Sequence, residues 1–80
     1  MTGMNFGKVL TVLWNGQRVA REGWNGKEVW IELQVPDEYS KMRRPYIFIN
    51  PGDGGLVPWV ALQSDLLASD WYILPPEDPA

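Results

Sequence analysis

The groups in this 80-residue chain that could move a proton are few. It has no histidine and no cysteine, which removes imidazole bases, thiol nucleophiles and the usual zinc ligand sets together. Aspartate and glutamate remain, with serine and lysine in support. Asp65 and Asp70 lie close in the sequence, and two carboxylates can divide acid and base roles when one pKa is raised. A plainer reading fits the local pattern better. Asp65 falls in the first turn of a short helical stretch, where the helix dipole favours a negative charge. Asp70 is placed to cap a turn. The sequence therefore assigns no catalytic residue, no metal ligand and no cofactor.

Two further patterns invite a binding role. Gly52-Asp53-Gly54-Gly55 is glycine-rich, but it has neither P-loop nor dinucleotide-fold spacing, so a simple turn is the better reading. The five tryptophans are many for so small a chain. Trp14 fits the apolar face of a helix and is expected in the core, as is Trp71. Trp30 lies on the polar face of its strand, so it should meet a subunit or line a pocket. Trp24 stands in a turn, Gly23-Trp24-Asn25-Gly26. A ring held there can stack on a base, and the Asn25 amide beside it offers donors and an acceptor.

The elements that must position these residues follow from periodicity. Phe6, Val9, Leu10, Leu13 and Trp14 recur with helical spacing. They predict an amphipathic helix over 5–15, with Asn5 as N-cap and Gly16 as stop. Arg18 to Arg21 reads as a short strand. Val29 to Val35 alternates, with Val29, Ile31, Leu33 and Val35 on one face, so the two strands should form a hairpin around the Trp24 turn. Residues 36–44 read as a loop, Tyr46 to Ile49 as a strand, and Leu56 to Trp59 as a short edge strand because Pro58 lacks an N–H. Ala61 to Ala68 predicts a brief helix capped by Ser64, and Asp70 to Leu74 a last strand. The class is α+β: one domain over 1–80, with an ordered core over 5–74 and a tail over 75–80.

Composition narrows the partners. The net charge is −3 with no basic stripe; Arg18 and Arg21 form one pair, Arg43 and Arg44 another. A nucleic-acid polymer is not the expected partner. No apolar run approaches the roughly 20 residues that span a bilayer, so no membrane partner is expected either. The lack of cysteine is compatible with the cytoplasm. A chain of this size buries only about 60–65% of its unfolded surface. With neither disulfide nor metal to staple it, self-association is the expected stabiliser.

Three blocks, Asn5 to Leu10, Val19 to Lys27 and Val57 to Trp71, together resemble the small phage and prophage proteins known as Thoeris anti-defence sponges of the second type. Their order and spacing cover nearly the whole chain, although residues 36–45 have no matching block. The resemblance implies a non-enzymatic α+β protein, acting in the bacterial host cell, that assembles as a dimer or tetramer. It would capture a cyclic ADP-ribose-type signal such as glycocyclic ADP-ribose; some relatives also take cyclic dinucleotides. The ligand-binding residues implied are Trp24, Asn25 and Gly26 of the turn with Trp59, Gln63, Ser64 and Asp65; an arginine, Arg21, is added on chemical grounds as a cation for the diphosphate. Two other readings stay open on the residues alone: a protein-binding module using exposed tryptophans, and a hydrolase working through Asp65 or Asp70.

Overall fold

The computed structural model describes residues 3–24 and 28–76. Five strands form one antiparallel sheet: β1 (Val19–Arg21), β2 (Val29–Gln34), β3 (Tyr46–Pro51), β4 (Val57–Pro58) and β5 (Trp71–Ile73), in the order β4-β3-β2-β1-β5. Helix α1 (Phe6–Trp14) packs on β1, β2 and β5, and a single-turn helix α2 (Gln63–Leu66) lies between the two edge strands in sequence. The α+β class and the predicted order of elements hold. No helix among the described residues is long and apolar enough to cross a membrane.

Helix α1 begins where the side chain of Asn5 accepts from the Lys8 N–H at 3.0 Å, which satisfies one of the donors a helix start leaves open. It ends at Asn15, and Gly16 follows at φ +83, a left-handed conformation that glycine adopts without penalty. The buried stripe is Val9, Val12 and Leu13, rotated from the expected one. Val12 turns toward the sheet, while Leu10 and Trp14, one turn apart, fall on the flank. Trp14 is therefore not a core residue; it is 60% exposed.

The sheet register puts Val19, Ile31, Ile49 and Val57 in one row. Val19, Ile31 and Trp71 join Met4, Val9, Val12 and Leu13 in the core. Beside Trp71, the backbone of Met4 exchanges two hydrogen bonds with that residue, of 3.1 and 3.3 Å, which shields part of the β5 edge. At the opposite edge β4 carries Pro58, as its missing N–H requires. On the other face of the sheet Trp30 is buried within the single chain. Its ring meets Phe48 edge-on at 6.1 Å, and the Arg18 guanidinium lies 5.0 Å from its centroid. A subunit contact or an open pocket is not needed to account for it.

Candidate functional site

Helix α1 covers the middle of the sheet and the β5 edge and leaves the β3–β4 end bare. The chain from Trp59 to Asp70 returns across that end. Trp59 starts the return, held by its N–H donating to the Ile47 carbonyl at 2.9 Å. A cleft of about 470 Å³ results, lined by Trp24, Val29, Ile49, Pro58, Trp59, Val60, Leu62 and Asp65. Its size falls in the range of small-molecule sites. Trp24 and Trp59 form aromatic walls 6.5 Å apart at 68°, and both stand edge-on to the buried Trp71, at 5.2 and 6.1 Å. Trp24 is half-buried. It belongs to this aromatic cluster as well as to its turn, and is less free than its position between glycines promised.

The frame of the cleft is a charged cluster. The Arg21 Nη1 donates to Asp65 Oδ1 at 2.9 Å, and its Nε donates to Asp70 Oδ1 at 2.8 Å. Asp65, 5% exposed, ties several segments together. Its Oδ1 also accepts from the Trp24 indole at 3.2 Å, and its Oδ2 from the Leu62 N–H at 3.1 Å. Its backbone carbonyl takes the Trp71 indole N–H at 3.0 Å. Asp65, rather than Ser64, caps α2, because its carboxylate folds back onto the Leu62 amide at the helix start. Asp70 accepts from the Gly23 N–H at 2.9 Å. A side chain at position 23 would put its Cβ 3.1 Å from Asp70 Oδ2 and 3.2 Å from Arg21 Nη2, closer than such contacts usually come. Glycine is there for the close approach.

Electrostatics follow the geometry. Burial pushes the Asp65 carboxyl up, but hydrogen bonds from Arg21, the Leu62 amide and the Trp24 indole outweigh it and hold the pKa below the usual aspartate value. Asp70 is lowered chiefly by its hydrogen bond from Arg21. The bonds to Asp70 and then Asp65 raise the guanidinium pKa in turn. These carboxylates are paired with a cation rather than with each other. Neither is pushed toward the neutral range that a general acid needs.

Of the expected site residues, Trp24, Trp59 and Asp65 line the cleft, and Arg21 stands behind them with its donors engaged by carboxylates. Gln63 and Ser64 are exposed on α2, outside the cleft lining. Asn25 and Gly26 lie outside the described residues. Sequence reasoning missed the apolar lining from Val29, Ile49, Val60 and Leu62; only the alternation of Val29 with Ile31 hinted at the first. The glycine-rich loop is a turn built on asparagine: Asn50 Oδ1 accepts from the Gly52 and Gly54 amides at 3.0 and 3.1 Å. Among the described residues no cluster of carboxylates could hold a metal ion.

With the cleft and its frame in place, comparison with known proteins is direct. The family profile of the Thoeris anti-defense 2-like domain matches residues 4–74. The chain belongs to this family. It is 36% identical over 86 residues to the protein named Thoeris anti-defense 2 from Bacillus phage SP01, an alignment covering 91% of this chain and 97% of the phage protein. The matched span of this family member takes in the Arg21–Asp65–Asp70 cluster and every residue that lines the cleft.

Proposed function

We propose that this chain is a phage or prophage anti-defence protein that binds and sequesters a cyclic ADP-ribose-type nucleotide, glycocyclic ADP-ribose, and so keeps a Thoeris effector inactive. The observation that carries the reading is a cleft with two tryptophan walls whose one lining carboxylate, among the described residues, has both oxygens bonded to protein donors. Such a site can hold a flat heterocycle and is poorly equipped to break it. Among the described residues that line it none is cationic, so these walls suit the base and ribose. Family membership and the name of the phage relative point to the same defence system.

The cleft is shallow, and Val60 and Leu62 on its rim are 81% and 65% exposed. Beside it a second apolar groove of about 430 Å³ runs between α1 and the returning chain, lined by Phe6, Leu10, Trp14, Ala61 and Leu66 among others. Trp59 lines both. A homo-oligomer, a dimer or a tetramer built from dimers, would cover these surfaces and deepen the cleft. A sponge that outcompetes a receptor at a dissociation constant near 1 nM needs about −12 kcal/mol, and an enclosed site between subunits provides for that better than an open one.

The test is capture and release. The protein is incubated with glycocyclic ADP-ribose, freed of unbound nucleotide, heat-denatured, and the released compound analysed. Intact nucleotide is expected. An altered product means hydrolysis, and no retention favours the other reading the apolar groove supports, a protein-binding module. The same experiment with a cyclic dinucleotide tests a second ligand class.

A further inference from the structure

Three donors from separate segments converge on one buried carboxylate: Arg21 on β1, Trp24 in the following turn and Leu62 ahead of α2. Of these Trp24 and Leu62 also line the cleft, and only Trp24 does so with an aromatic ring. Its contacts with the neighbouring aromatic rings are edge-on, at 5.2 and 6.5 Å. Edge-on packing fixes a ring's tilt weakly, since it tolerates a range of angles. A hydrogen bond from the indole N–H to a charged acceptor fixes both tilt and direction. We infer that Asp65 is a positioning residue for nucleotide capture: it acts through the Trp24 indole, setting the plane of that wall, and does not itself contact the ligand.

This rests on the binding reading above and makes it more specific. The Trp24 N–H is already spent on Asp65, so Trp24 offers the ligand its ring and no donor. Both oxygens of Asp65 are likewise engaged, with Arg21 and Trp24 sharing one and the Leu62 amide bonding the other. A ligand that took the Trp24 N–H would have to break the frame of its own site. Asp65 also differs from Asp70, which holds Arg21 and Gly23 but no wall of the cleft.

A double-mutant cycle tests this with glycocyclic ADP-ribose as the probe, using Trp24→Phe, Asp65→Ala and both together. Each single change is expected to weaken capture about tenfold, because each releases the ring from its anchor. In the Trp24→Phe background, Asp65→Ala should add less than about threefold, since no indole N–H is left to position. Losses that multiply would overturn the inference and make Asp65 a general structural residue. Asp65→Ala leaves Arg21 its bond to Asp70, which favours folding. Should it still fail to fold, exchange of the tryptophan indole protons in the wild-type protein decides. The Trp24 N–H should be slow to exchange and stay so when the nucleotide binds. A proton that exchanges freely, or moves from Asp65 to the ligand, overturns the proposal. If the wild-type protein captures no nucleotide at all, the binding reading fails. The exchange of the Trp24 proton in the free protein still reports separately whether Asp65 holds the ring.

Discussion

Two tryptophans of this chain, Trp71 and Trp14, meet different environments for identifiable reasons. Trp71 is 0% exposed, packed against Phe6, Trp24 and Trp59, with its N–H on the carbonyl of Asp65. Trp14 is 60% exposed on the flank of α1, over an apolar groove that the chain leaves open. Around Trp71 the polar groups are matched within the chain, down to the buried carboxylate. Around Trp14 the surface is apolar and uncovered, and Leu62 and Leu67 on and beside α2 are exposed as well. The first region is finished by the fold. The second has the character of a surface completed by association. The cleft lies between them, sharing Trp59 with the groove and Asp65 with the finished cluster.

The largest effect should come from exchanging which tryptophan is removed. Trp71→Ala empties the centre of the core and leaves the Asp65 carbonyl only the longer, 3.4 Å bond from the Ala68 N–H. Removing a buried tryptophan costs about 3–5 kcal/mol, most of what a domain this small has to spare, so the variant should be unfolded or barely folded in a thermal melt. Trp14→Ala should change the stability of the single chain by about 1 kcal/mol or less. Its effect should appear in light scattering, as a shift toward the 9.1 kDa chain mass. Equal loss of stability in both variants would erase the distinction, and a Trp14→Ala variant that keeps its assembly would place the subunit contact elsewhere.

The contrast also marks what was legible in the sequence. Helix, strands and their order followed from hydrophobic period and turn residues, which are local properties. Trp14 was misplaced because it continues the Phe6–Leu10 row, and periodicity does not say how a helix is rotated over a sheet. The buried side shifted by one position, to Val9, Val12 and Leu13. Asp65 was seen as a helix-turn residue, which it is. Its partners Arg21 and Trp24 lie 44 and 41 residues away in sequence, and no local signal links groups that only the closed sheet brings together. Trp24 was picked out by its turn, and the same distance in sequence hid its packing on Trp71.

Acid should probe the finished region selectively. Asp65 and Asp70 both have folded-state pKa values below their unfolded ones. Between those values the unfolded chain binds more protons, so stability falls as pH drops. The contribution is complete above the unfolded aspartate pKa of about 3.9 and is lost below it, as pH passes through the folded values. The melting temperature should stay nearly level from pH 7 to about 5 and fall steeply below about 4. In Arg21→Gln, which removes the cation from both carboxylates, neutral-pH stability should be lower and the acid limb shallower. Matching acid limbs in the two proteins would mean that the cluster does not govern the acid response.

The smallest effect is expected just beyond β5, where the chain leaves the sheet. Arg18 Nη2 donates to the Pro75 carbonyl at 2.7 Å, an exposed contact. Deleting residues 76–80 keeps that oxygen and leaves a terminal carboxylate on Pro75, which Arg18 can hold at least as well. Melting temperature, assembly and nucleotide capture should all be unchanged. Deleting Pro75 as well removes the acceptor. An exposed charge-assisted bond contributes about 0.5–1 kcal/mol, which in a domain of this size lowers the melting temperature by a few degrees. If the shorter deletion already dissociated the oligomer, the subunit contact would reach beyond the Trp14 groove to the chain's C-terminal end. The open apolar flank would then be only part of the surface that association completes.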